Sequence, residues 1–173
     1  HLAALRKLYD WLVTEQVVEE NPFTSVRGPK LVRKEGKTPA LSSEEVQDLF
    51  SRVDEEDTVV ALRDAALIGS MLYTFGRVGA VVGMKVKDYA PASAGKKVLR
   101  LREKGGKRHR VPAHHKLRER MDKYLEGAGI GDEEEAPLFQ SASRSKELTG
   151  RRLNRRRAWD MVKRRARQAG IEK

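Results

Sequence analysis

Apolar residues recur at helical spacing from the first positions of the chain, where Leu2, Leu5, Leu8, Tyr9 and Leu12 fall on one face with polar groups between them. The pattern predicts one amphipathic helix from His1 to about Gln16, with no partner for its apolar face inside that segment. Glu20-Asn21-Pro22-Phe23 ends it, because a proline pushes the preceding residue out of the helical conformation. A second unit opens at Pro39. Ser42 and Glu45 there have the spacing of a capping box, in which each side chain accepts the other's backbone N–H, and Val46, Leu49 and Phe50 supply an apolar face. A longer helix is expected from about Val59 to Thr74, apolar enough through Leu62, Ala65, Ala66, Ile68, Met71 and Leu72 to sit centrally. Gly76 ends it, and a short apolar helix follows over Arg77 to Met84.

The periodicity then changes from helical to alternating. Lys85 to Tyr89, Lys97 to Arg102 and Lys107 to Val111 read as strands, and Gly105-Gly106 supplies the positive backbone angles that a tight hairpin turn needs. Two more helices are predicted, about His114 to Glu126 and about Asn154 to Gln168, separated by a polar loop that is first acidic and then basic. The expected fold is mainly α with a small antiparallel three-stranded β-sheet, an α+β arrangement. Between the two units, residues 25–38 turn basic and are punctuated by glycine and proline, which reads as an interdomain linker. The chain thus divides into 1–24, 25–38 and 39–173.

Composition narrows the partners. In 173 residues, 39% are apolar and 35% charged, with the charges interleaved among periodic apolar positions, so a packed core is expected rather than a disordered chain. The 36 Lys and Arg against 25 Asp and Glu leave a net charge of +11, which calls for an anionic partner, double-stranded DNA before any other. An aromatic content of 6% suits single-stranded RNA recognition poorly, since that mode stacks bases on exposed rings. No apolar run approaches the ~18 residues of a membrane span, no signal-peptide pattern opens the chain, and the absence of cysteine fits a reducing compartment, so a cytoplasmic location is expected.

Several residues are candidates for chemistry. Arg77, at the junction of two apolar helices, is expected to be buried, and a buried guanidinium needs either a carboxylate or a phosphate. Lys104 at the hairpin tip is either a solubilising lysine or a second cation on the same anion, with Lys107 across the turn as its reserve. Lys30, Arg33, Lys34 and Lys37 on the linker, Lys107, Arg108 and Arg110 on the hairpin, and Arg151, Arg152, Arg155 and Arg156 near the last helix exceed what local ion pairing absorbs, so contacts to DNA phosphates are expected there. His115-Lys116-Leu117-Arg118 with Tyr124 beyond it reads as a surface helix, its stripe of Leu117, Met121 and Leu125 turned inward. His109, His114 and His115 lack a carboxylate at ligand spacing, and neither a metal nor another cofactor is expected. Tyr9, Tyr73 and Tyr89 read as core residues.

Arg77 after a central helix, the hairpin Glu103-Lys104-Gly105-Gly106-Lys107-Arg108-His109-Arg110-Val111-Pro112, the Pro137-Leu138-Phe139 loop and a helix closing at Ala169-Gly170-Ile171 together resemble the tyrosine recombinase (phage integrase) family. The opening Ala4 to Leu12 and Asn21-Pro22 are similar to the last helix of that family's core-binding domain. The resemblance implies a catalytic-domain-like fold and metal-free strand exchange through a 3′-phosphotyrosyl link, with Arg77 clamping the phosphate and Lys104 protonating the leaving 5′ oxygen. The family's acid three positions after that arginine is Ala80 here. Its His-x-x-Arg box and nucleophilic tyrosine belong beyond Ile171, so the expectation is a recombinase fragment that binds duplex DNA without cutting it, the intact enzyme acting as a tetramer. The competing expectation is a non-catalytic DNA-binding module on the same scaffold.

Overall fold

The computed structural model describes residues 1–28 and 40–172, apart from the side chains of Ala94 and Lys104. The linker cations Lys30, Arg33, Lys34 and Lys37 lie outside the described residues. The chain forms two compact units, His1–Pro39 and Ala40–Lys173. The first contains α1 (Leu2–Thr14), which buries none of its residues; Leu5, Leu8 and Trp11 remain exposed on it. Its polar contacts explain the sharp exit of the chain. Asn21 Nδ2 donates to the Arg6 carbonyl at 3.0 Å and to Asp10 Oδ1 at 2.6 Å, Arg6 Nε reaches the Phe23 carbonyl at 3.0 Å, and the Tyr9 ring meets Phe23 edge-on at 5.0 Å. Tyr9 is thereby half-buried rather than a core residue, since a single helix and a turn cannot enclose it.

The second unit contains, among the described residues, α2 (Ser43–Asp54), α3 (Val59–Thr74), α4 (Val78–Val82), β1 (Tyr89–Pro91), β2 (Lys97–Arg102), β3 (Arg108–Pro112), α5 (His115–Ala128), β4 (Gln140–Ala142), β5 (Leu148–Arg152) and α6 (Arg155–Gln168). The capping box forms at α2, with Ser42 accepting from the Glu45 N–H at 3.2 Å and Glu45 accepting from the Ser42 N–H at 2.7 Å. Central α3 packs most extensively along α5 and also touches α2, α4 and α6. The core runs through Leu67, Val81, Leu99, Leu117, Met121, Tyr124, Leu138 and Phe139, so the stripe expected on α5 does face inward. Strands β1, β2 and β3 form one antiparallel sheet in that order, with Tyr89 opposite Leu99 and Leu99 opposite Val111.

Two departures from the periodicity have local causes. Lys85 makes only an isolated bridge to Pro137, and Val86 to Asp88 form a helical turn rather than a strand, because the Asp88 carboxylate folds back to accept the Lys85 N–H at 2.9 Å. The strand starts only at Tyr89. The loop after α5 holds a second small sheet, β4 with β5, whose short strands pair irregularly and so leave little alternation to read.

A buried charge cluster ties this unit together. Asp64 on α3 is fully buried; its Oδ1 accepts from Arg63 Nε at 3.1 Å and Nη2 at 2.6 Å, and its Oδ2 from Arg165 Nε at 2.9 Å and Arg164 Nη2 at 3.3 Å. Arg63 Nη1 also donates to the Gln140 carbonyl at 2.8 Å, and Arg165 pairs with Glu56 before α3. Arg165 therefore leaves the basic run of α6 for the interior, while Arg164, more than half exposed, reaches in to Asp64 from the surface. Neutralising Asp64 leaves the buried Arg63 and Arg165 without the charge they share, so Asp64→Asn is expected to cost about 3–5 kcal/mol of unfolding free energy in urea titrations.

Glu56 adds a pH dependence of defined sign. Its hydrogen bond from Arg165 holds its carboxyl below the usual range. Because the folded value lies under the unfolded one, the stabilisation is complete above the ordinary carboxylate pKa of about 4.3 and is lost as pH falls through the depressed value. Acid unfolding of Glu56→Gln should accordingly show a shallower loss of stability below that pH than the parent protein.

Candidate functional site

The turn from α3 to α4 is held on several sides. Thr74 Oγ1 donates to the Ser70 carbonyl at 2.6 Å and accepts the Gly76 N–H at 3.1 Å. A Cβ on Gly76 would lie 2.8 Å from Thr74 Oγ1, 3.0 Å from Val81 and 3.1 Å from Leu101, so the close approach of β2 to this turn requires a glycine. Arg77 follows at the head of α4, its carbonyl accepting from the Ala80 N–H at 2.8 Å and the Val81 N–H at 3.0 Å.

Arg77 is not buried: its side chain is 71% exposed. The short helix sinks Val81 and Val82 into the core at its far end, and its first turn therefore projects outward. The guanidinium forms an ion pair with Glu103, itself only 17% exposed and the last residue before the hairpin tip. A carboxylate partner exists, as one of the two expectations for Arg77 required, but on the surface rather than in the core. An exposed pair of this kind is worth at most about 1 kcal/mol. Its structural effect is to fasten the start of α4 to the base of the hairpin turn.

The turn itself closes through the Glu103 N–H to the Lys107 carbonyl at 2.8 Å and the Gly106 N–H to the Glu103 carbonyl at 3.2 Å. Gly105 and Gly106 take φ of 79° and 77°, the left-handed backbone that their lack of a Cβ permits. Lys104 begins that turn, so its backbone directly follows the residue that pairs with Arg77.

On the hairpin stem, strict alternation sends Leu99 and Leu101 inward and Arg100 and Arg102 outward. Register then sets Arg100 opposite Arg110 and Arg102 opposite Arg108. Directly opposed like charges destabilise a strand pair, and none of these four forms an ion pair among the described residues. With Lys87 and the largely buried Asp88, whose carboxylate accepts the Lys85 N–H, they line one shallow depression on the sheet. Arg100, Arg102 and Glu103 were absent from the expected site, although an alternating Arg-Leu-Arg strand followed by a lone acid in a basic hairpin is a readable signal.

The other expected cations divide. Lys107, Arg108, Arg110, Arg151, Arg152, Arg155 and Arg156 are exposed. Arg155 is brought to α4, its Cδ lying 4.0 Å from where a Cβ on Gly79 would be. Arg156 makes an intrahelical pair with Asp160 at 3.5 Å. Among the described residues of the second unit, no tyrosine is exposed. Tyr124 is fully buried, burial pushing its hydroxyl up to about 12; Tyr89 is buried and raised by burial and by its bond to Asp122; Tyr73 is half-buried, its ring stacked on His114 at 4.5 Å.

The model of the phage integrase family matches residues 39–173. The chain belongs to that family. It is 34% identical over 126 residues to the tyrosine recombinase XerC of Staphylococcus saprophyticus, covering 72% of this chain and 40% of that protein. It is 29% identical over 175 residues to the tyrosine recombinase XerD of Shewanella oneidensis, covering 99% of this chain and 54% of that protein. The chain thus spans about half the length of these curated relatives. A lambda integrase tetramer bound to a Holliday junction superimposes with a TM-score of 0.65 at 18% identity, over 99% of this chain and 45% of that one, a likeness of fold.

Two substitutions test the geometry of this region of the integrase-family chain. Gly76→Ala should lower stability by about 1–3 kcal/mol, the overpacking cost in a site that cannot open, as read from the urea midpoint. Arg100→Glu replaces a repulsion across the sheet by an attraction and should raise stability by about 0.2–1 kcal/mol in the same assay.

Proposed function

We propose that the chain is the DNA-binding and phosphate-clamping part of a site-specific DNA recombinase. The observation that carries this is the ion pair between Arg77 and Glu103, which brings the head of α4 to the turn where Lys104 lies. The backbone segments that carry these two residues, distant in sequence, are thereby fastened to each other, in a chain whose relatives are named tyrosine recombinases. Residues 1–24 act as the last helix of a core-binding domain, 25–38 as a basic linker along the DNA backbone, and 39–173 as the first part of a catalytic domain.

In the intact enzyme a tyrosine hydroxyl gives its proton to solvent, its oxygen bonds to phosphorus and the P–O5′ bond breaks, leaving a 3′-phosphotyrosyl link. The proton required by the departing 5′ oxygen comes from the Lys104 ammonium, with Lys107 as the alternative donor across the turn. Arg77 balances the charge that builds on the non-bridging oxygens, exchanging its weak contact with Glu103 for the phosphate. A free 5′ hydroxyl on another strand then reverses the step. Tyr89 and Tyr124 are buried, Tyr73 is stacked on His114 and Tyr9 packs edge-on against Phe23, so none of the four tyrosines is assigned the nucleophile's role and the 173-residue chain is expected to bind duplex without attaching to it. Tetramer assembly on paired sites belongs to the intact enzyme.

The arginine pairs of the hairpin supply further phosphate contacts. Their opposition across the strands is unfavourable for the fold, and a polyanion removes it.

The decisive measurement is duplex affinity across salt concentration. Log K should fall linearly with log salt, and Arg77→Ala should make the slope shallower by about one while changing affinity little at physiological salt. An unchanged slope would remove Arg77 from the interface. A covalent adduct between this chain and a nicked duplex would overturn the assignment of the nucleophile.

A further inference from the structure

Phe75, in the turn before Arg77, is not accounted for by the fold. It is 91% exposed, so its ring contributes nothing to the core. Its backbone lies at φ 51°, ψ 24°, the left-handed region that glycine occupies freely and that a bulky side chain disfavours. The left-handed backbone costs stability at a residue with a bulky side chain, and a ring left in solvent returns none of it through burial. Outliers of this kind concentrate where the chain serves a ligand.

The turn is not loose. Thr74 Oγ1 fixes it through Ser70 and Gly76, and Gly76 is wedged against Val81 and Leu101, so the backbone that carries the ring is held in place. Two residues on is Arg77, and across α4 lies Arg155. An exposed aromatic two residues from an exposed guanidinium suits a polymer that alternates phosphates with flat apolar groups. A second copy of this chain, carrying a net charge of +11, would bring like charge to the same place.

We propose that Phe75 wedges its ring against the base step adjoining the phosphate that Arg77 contacts in duplex DNA. The inference rests on the reading of Arg77 as a phosphate contact. The contribution is apolar and independent of sequence, and it does not release counterions, so it differs in kind from every cationic contact nearby.

The test uses the whole chain and a duplex carrying 2-aminopurine, with Phe75→Gly, Phe75→Asn and Arg77→Ala compared. Phe75→Gly removes the backbone strain and should raise Tm by a few degrees, while weakening duplex affinity about tenfold with the salt slope unchanged. Phe75→Asn, also at ease in the left-handed region, should show the same loss of affinity, and both variants should lose the fluorescence change that the parent produces on binding. Arg77→Ala should instead reduce the slope by about one. If the slope falls in Arg77→Ala but the Phe75 variants bind as the parent does, the wedge is refuted and the phosphate reading stands. If Arg77→Ala leaves the slope unchanged, the phosphate reading itself fails. Should sedimentation show that the Phe75 variants lose self-association rather than duplex affinity, the ring belongs to a second copy and the proposal is overturned.

Discussion

The second unit depends on one fully buried carboxylate. Asp64 receives hydrogen bonds from Arg63, Arg164 and Arg165, and through them α3 is joined to α6, to the Gln140 carbonyl of β4 and to Glu56 at the head of α3. An apolar core would hold these elements together without fixing how they slide. Charges without access to water tolerate only the geometry in which each donor meets an acceptor. The cluster thereby sets the register of α6 against α3, and Arg155, at the opposite end of α6, reaches α4 as a consequence.

Around the candidate site the balance runs the other way, and local stability is given up. Arg100 faces Arg110 and Arg102 faces Arg108, Phe75 holds a left-handed backbone in solvent, and Arg77 has only an exposed ion pair. Interior arginines are neutralised at close range while those on the hairpin stem repel one another. The contrast separates the two uses of the same residue type: arginine as a connector where water is excluded, and arginine as an unbalanced charge where an anion is to arrive.

Much of the architecture was legible in the residues because it rests on local rules. The span of α3, the capping box at Ser42 and Glu45, the hairpin turned by Gly105-Gly106, and the inward stripe of α5 all follow from periodicity and backbone preference. The failures were local as well. Lys85 to Asp88 alternates like a strand, yet a side chain returning to its own backbone won the competition. The β4 and β5 pair was missed because strands of three and five residues with an irregular register carry too little pattern.

Which arginines meet which acids was not readable from the chain order. Sequence by itself determined the helices, the hairpin, the excess of positive charge and the positions of Arg77 and Lys104, since spacing and turn chemistry act over a few residues. Only the tertiary structure decided that Arg165 belongs to Asp64 and Glu56, that Arg77 stands exposed against Glu103, and that two arginine pairs oppose each other across a sheet. Burial and pairing are properties of the packed arrangement. A guanidinium is a connector or a free charge according to the water and the carboxylates that folding leaves beside it.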